Sequence, residues 1–225
     1  MRSIAVLFGA MVMLAPTQLQ AQDAAVPEAP MIKDIAALEI EGFRSAKFGM
    51  TPEQVRGAVV KDFGPGVAVE AAENPAERTG ALVAPLTALE PGPGPAAVAY
   101  IFGATSKTLM HVNVTWMSGP SPTQAEREEM MRAGLQLVAY FRQQNRQATA
   151  EVAGTQAGPN ALSLYAAADA KRATVEIIVD GVAFEMIVDG NPAASPDPVG
   201  STSLRISYAL NAADPDIYRI APKSF

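Results

Sequence analysis

The chain has 225 residues, 49% of them hydrophobic, with no cysteine, one histidine and a formal charge of −6. That composition supports a packed core without disulfides. It offers no basic face to nucleic-acid phosphates or anionic lipid, and it lacks the thiolates and imidazoles of an ordinary zinc site.

Residues 1–21 have the three parts of a secretory signal: Arg2 as the positive start, an apolar run at 4–15, and Ala21 as the cleavage residue. The run is too short to span a bilayer as a mature helix, although an uncleaved anchor is the alternative. Cleavage would remove the +1 of Arg2 and take −6 to −7. Without cysteine there is no lipid anchor, and no membrane span is expected in the mature chain. The signal and the alanine-rich composition point to a bacterial periplasmic or secreted protein. Residues 22–37, rich in Ala and Pro at their start, are expected to be a flexible linker. Residues 38–225 are expected to form a single domain.

Residues 32–48 carry Leu38, Ile40 and Phe43 and predict a strand or lead-in, with 43–48 as one edge of a sheet. Thr51, Pro52 and Gln54 then form a capping box with Pro at the first helical position. Val55, Ala58, Val59 and Phe63 make one apolar face, and Gly64-Pro65 stops the helix, predicted over 51–63. Residues 70–80 read as a loop. Residues 81–89 read as a strand that Pro85 confines to an edge or a bulge. The PGPGP run at 91–95 is a break. Residues 97–102 and 108–117 form a hairpin, with Met110, Val112, Val114 and Trp116 inward and His111, Asn113 and Thr115 outward.

Ser121-Pro122-Thr123-Gln124 repeats the form of Thr51-Pro52-Glu53-Gln54, while Thr123 with Glu126 offers a second capping box. The helix that follows runs to about 145 with Met130, Met131, Leu135, Leu137, Val138 and Phe141 on its apolar face. Residues 148–160 read as a loop, and 162–167 and 173–179 as strands. Asp180-Gly181 is a type I′ turn signal that returns the chain as a strand over 182–188. A Pro-rich loop at 191–200 leads to a strand at 203–210, and the tail at 211–225 is apolar enough to dock. Helix, strands, helix, strands predicts an α+β fold, two helices packed on a mainly antiparallel sheet. The halves 38–118 and 119–225 have the order of a degenerate tandem repeat.

Chemistry is sparsely marked. His111 lies on a polar strand face with no G-x-S-x-G or S-x-x-K motif to serve, and no catalytic residue is assigned. Asp180, Asp189, Asp197, Asp214 and Asp216 stand near turns, without a calcium-loop spacing, so no metal or cofactor site is expected. Trp116, Phe141, Phe184 and Tyr208 fall on apolar periodic faces and are expected in the core. Arg56 and Lys61, off the apolar face of the first helix, are the candidate partner-binding residues.

Gly49-Met50-Thr51, Val55 and Gly64-Pro65 resemble the opening of small periplasmic domains of the SmpA/OmlA outer-membrane assembly type. These are similar in build to the tandem domains of the β-lactamase inhibitor protein. This chain departs from them in lacking the lipidation cysteine and in having Gly64 and Pro65 contiguous. The resemblance implies a non-catalytic protein-binding module of the cell envelope. With the export signal and the missing nucleophile machinery, the expected function is a non-catalytic protein- or ligand-binding module with another envelope protein as partner. The alternative expectation is a carboxylate-dependent, metal-assisted envelope hydrolase.

Overall fold

The computed structural model describes residues 36–144, 146–188 and 191–220. The expected signal and residues 22–35 of the expected linker lie outside the described residues. The linker's last residues are already tied down, since Gln147 donates its N–H to Ala36 O at 2.9 Å and Ala37 bridges Gln147.

Helix α1 (Pro52–Phe63) starts as its sequence instructs. Thr51 Oγ1 accepts from Gln54 N at 3.4 Å, and Thr51 N donates to Gln54 Oε1 at 2.9 Å. Val55, Ala58 and Val59 are buried, and each buried valine contributes about 1.5–3 kcal/mol. Phe63 is only half-buried, and the Arg44 guanidinium lies over its ring at 4.8 Å. Gly64, at φ 91°, ends the helix and returns its N–H to Val60 O.

For helix α2 (Gln124–Gln143) the second capping box wins, with Thr123 N donating to Glu126 Oε2 at 2.7 Å. Pro122 therefore precedes the cap while Pro52 lies inside the first turn. The two S/T-P-x-Q motifs are not structurally equivalent. Leu135, expected on the inner face, is 54% exposed. Ala133 and Gly134 take that face instead, and a Cβ on Gly134 would overlap Leu164.

The strands are β1 (Gly42–Phe43), β2 (Ala46–Lys47), β3 (Glu70–Asn74), β4 (Thr79–Leu86), β5 (Ala96–Phe102), β6 (Leu109–Met117), β7 (Ala150–Val152), β8 (Thr155–Gly158), β9 (Ala161–Ala168), β10 (Thr174–Asp180), β11 (Glu185–Val188), β12 (Asn191–Ala194) and β13 (Ser203–Ala209). With the two helices they make the α+β fold that the element order predicts. The main sheet runs β3-β4-β5-β6-β13-β10-β9-β7, with β8 also on β9, and every pairing is antiparallel. Each half is thus a helix followed by a meander, and the halves join through their last strands, β6 and β13.

Several expectations are corrected. β1 and β2 pair only with each other, so 43–48 forms a separate hairpin and not a sheet edge. β3, β7 and β8 occupy stretches expected as loops; almost every residue in them is exposed, so no apolar alternation announces them. Pro85 does sit where β4 has one neighbour, since β3 ends opposite Val83. Residues 182–188 do not return along β10. Gly181, at φ 70°, turns the chain away, β11 pairs with β12 inside the expected 191–200 loop, and β10 receives β13 instead.

Three buried polar groups secure this topology. Arg127 on α2 donates Nη1 to Gly181 O and Nη2 to Gly200 O at 2.8 Å, clasping both ends of the excursion. Thr202 donates its hydroxyl to Asp180 O at 2.7 Å and exchanges bonds with Ser118. Asp169 accepts from Lys171 N and Ala173 N in the β9–β10 turn and from Ile40 N at 3.0 Å. The tail docks, but by hydrogen bonds and not by its apolar residues: Ala104 N donates to Asp216 O and Tyr218 N to Glu77 O, while Tyr218 and Ile220 are exposed. Residues 221–225 of the expected tail lie outside the described residues.

Leu82, Tyr100, Val112, Tyr208, Val175 and Ala167 stand opposite one another in one row on the helix-covered face. Tyr100, fully buried, leaves its hydroxyl without a partner among the described residues. Arg127→Met, which orphans two carbonyls, is expected to cost about 2–4 kcal/mol in chemical denaturation. Tyr100→Phe, which removes an unmatched hydroxyl, is expected to be neutral or to stabilise by about 1 kcal/mol. A Tyr100→Phe protein markedly weaker than the parent would show that the hydroxyl has a partner after all.

Candidate functional site

Over the β6–β13 seam, on the helix-covered face, lies a groove of about 820 Å³. Its floor is Trp116 from β6 and Ile206 and Tyr208 from β13. These side chains share a face because the pairing places Leu204 opposite Trp116 and Tyr208 opposite Val112. One wall is α2, through Gln136, Leu137, Tyr140, Phe141 and Gln144. The other is the segment 38–44 with Lys47, and the loop at 89–91 closes one end.

Aromatic rings order these walls. Phe43 and Tyr208 have centroids 5.7 Å apart, Phe141 and Tyr208 6.5 Å, and Phe141 stacks on Tyr165 at 5.7 Å. Such contacts are worth about 0.5–1.5 kcal/mol beyond burial. Trp116 is 1% exposed and donates its indole N–H to Leu89 O at 2.6 Å. Gly92 lies so close over the indole that a Cβ there would collide with the ring, which explains a glycine between two prolines. Burial raises the Tyr208 hydroxyl well above the ordinary phenol pKa, with Tyr140 adding to the effect, so it is a neutral donor at physiological pH.

Charge at the rim is mixed. Lys47 pairs with Glu41 at 3.3 Å. Arg44 lies over the rings of Phe43 and Phe63 at 5.5 and 4.8 Å and donates to Asp62 O. Arg146, Glu39 and Glu90 have no ion pair among the described residues. A groove of this size with an apolar floor and a few polar groups has the character of a ligand site. Of the aromatics expected in the core, Trp116 is fully buried, while Phe141, Phe184 and Tyr208 are half-buried and pack against the core, Phe141 and Tyr208 also lining this groove.

The opposite face of the seam is polar. His111 Nε2 lies 2.7 Å from Ser207 Oγ, and Ser207 donates to Asn113 Oδ1 at 2.7 Å. Sequence reasoning missed this serine; its place on the polar alternation of β13 was the available signal. In this arrangement Ser207 gives its hydroxyl proton to Asn113, which leaves His111 Nε2 as the donor to Ser207 Oγ. The acidic residues beside His111 are also engaged. Asp214 pairs with Arg219 at 2.7 Å. Asp216 is held down to about 2 by the backbone N–H of Ser106 and then by that of Thr105, both of which it accepts. Among the described residues no cluster of His, Asp or Glu has metal-ligand form.

Arg56 and Lys61 are exposed on α1 and outside the groove. Arg56 donates to Val69 O at 3.1 Å, bracing the lead-in to β3. Comparison with protein-family models, curated proteins and solved structures gives no match. The fold and site therefore define a class by architecture alone: an α+β domain with a sheet-floored aromatic groove.

Gly92→Val is expected to displace the loop and expose the indole, giving a red-shifted tryptophan emission from the chain's only tryptophan. Unchanged emission would show that the loop does not seal the ring. Burial, then Arg205, lowers the pKa of His111. The unfolded chain therefore binds the proton more readily, and this contribution is full above about pH 6.5 and is lost as pH falls. The stability advantage of the parent over His111→Gln is expected to shrink between about pH 8 and pH 5; an advantage that grows on acidification would reverse the sign.

Proposed function

We propose that this chain is an exported, non-catalytic binding module of the bacterial cell envelope and that the seam groove holds its ligand. The observation that carries this reading is the aromatic groove itself: an apolar floor fixed by the sheet, and walls of rings interspersed with a few polar side chains. The apolar N-terminal run beginning after Arg2 supports export. The negative formal charge favours a protein or small-molecule ligand over nucleic acid. No helix among the described residues is long and apolar enough to cross a membrane. A helical start on an antiparallel sheet, present in each half, agrees with the build implied by the SmpA/OmlA resemblance.

Trp116 makes the groove self-reporting. Titration with an apolar probe such as anilinonaphthalene sulfonate is expected to perturb tryptophan emission, and Tyr208→Ala should weaken that binding about tenfold. Binding that ignores Tyr208→Ala places the apolar site elsewhere. Expression of the full chain in a bacterial host is expected to yield a periplasmic product beginning near residue 22. A product retained in the cytoplasm with its first residue intact contradicts export.

A further inference from the structure

We propose that the seam groove accepts an extended segment of a partner polypeptide, with an acidic side chain at the end where Arg44 and Arg146 stand. This rests on the groove-binding reading and names the class of ligand.

The α2 wall carries the geometry. Gln136, Tyr140 and Gln144 follow one another at intervals of four residues and all face the groove. With a rise of about 1.5 Å per residue, their spacing is about 6 Å. An extended chain presents same-side groups every second residue, about 6.6 Å apart. Three side chains able to donate and accept therefore stand at nearly the interval of alternate peptide units. None of the three spends its polar end on a hydrogen bond among the described residues. Between them, the half-buried rings of Tyr208 and Phe141 receive apolar side chains that alternate with those peptide units, with Trp116 sealed beneath.

An acyl chain fits this row poorly. It would cover polar groups without matching them, and an unmatched buried amide or hydroxyl costs about 1–3 kcal/mol. A peptide backbone supplies a partner at each station.

Charge gives the segment a polarity. At the Tyr208 end, Arg44 and Arg146 have no carboxylate partner among the described residues and outnumber the unpaired Glu39, while Lys47 is already neutralised by Glu41. At the Trp116 end, beside Leu89, stands Glu90. An acidic residue fits the first end and a basic residue the second.

The test titrates the intact chain with capped synthetic peptides of alternating Val and Thr, carrying Lys at one end and Glu at the other, in both orders. Trp116 emission is the readout. One order is expected to bind saturably. Alternate N-methylation of that peptide, or the variant Gln136→Ala/Gln144→Ala, should weaken it about tenfold, equivalent to about 1.4 kcal/mol. Arg146→Glu should weaken the peptide with Glu at that end and favour one in which Glu is replaced by Lys. Dodecanoate is the comparison ligand. If dodecanoate saturates the Trp116 signal and no peptide does, the extended-peptide inference falls while groove binding stands. If the peptide binds but N-methylation and the double variant change nothing, the polar row has no role and the inference also falls. If peptides, dodecanoate and the apolar dye all leave Trp116 unmoved and give no binding heat in calorimetry with a folded protein, the groove-binding reading falls with it.

Discussion

Thr202 decides where β13 enters the sheet, and nearly everything else depends on that position. It is fully buried and lies between the ends of the two strands that β13 must join. Its hydroxyl reaches Asp180 at the end of β10, and its backbone exchanges bonds with Ser118 just beyond β6. β13 is thereby held on both sides by the residue just ahead of its first ladder pair. A slip of one residue would turn every side chain to the opposite face. Trp116, Ile206 and Tyr208 would no longer share a floor, and His111, Ser207 and Asn113 would no longer meet. Arg127 acts on the same junction from α2 by clasping Gly181 and Gly200. A long excursion between paired strands would otherwise leave their register to the strands alone.

The groove is a consequence of joining two helix-plus-meander halves through their last strands. α2 packs on β9, β10 and β13, and α1 packs against β2. α1 stands over the first half of the sheet, near enough for Asp62 to help raise the Tyr100 hydroxyl pKa after burial has done most of it. Neither helix covers Trp116. That duty falls to the loop at 89–92, where the indole N–H is satisfied by Leu89 and its face by Gly92. The floor is fixed by a continuous ladder, while the walls are side chains and a loop. A site built this way keeps its base rigid and places its adaptable groups at the rim.

The local signals in the sequence were legible wherever one residue could enforce them. Thr51, Gln54 and Gly64 delimit α1 by backbone chemistry alone, and Thr123 with Glu126 does the same for α2. The alternation in β6 and β13 correctly divided Trp116 and Ile206 from His111 and Ser207. What failed was pairing between distant segments. Asp180-Gly181 carries a strong hairpin signal, yet Gly181 turns the chain outward because Arg127, more than fifty positions earlier, holds its carbonyl. β3, β7 and β8 were invisible because they bury little and are held by ladder bonds to a neighbour. The groove was invisible for a different reason. Periodicity shows that Tyr208 and Phe141 face inward, but not that a groove stays open between the α2 wall that carries Phe141 and the strand that carries Tyr208.

The charge of the chain and the charge of the groove end point in opposite directions, and their ranges differ. The chain as a whole is acidic, with a formal charge of −6. Dispersed surface charge is screened over about 8–10 Å at physiological ionic strength, so it acts weakly on a ligand already at the rim. Arg44 and Arg146 act inside that distance, beside low-dielectric aromatic walls that strengthen their field. An acidic segment is therefore discouraged by most of the surface and favoured at one end of one groove. The arrangement contributes more to orientation and selectivity than to affinity, since the rim is solvent-exposed and exposed ion pairs are worth only about 0–1 kcal/mol. Affinity must come from the partly exposed rings over the floor, from the area that Phe43, Phe141 and Tyr208 present. That division ties both properties of the site to the pairing of β6 with β13.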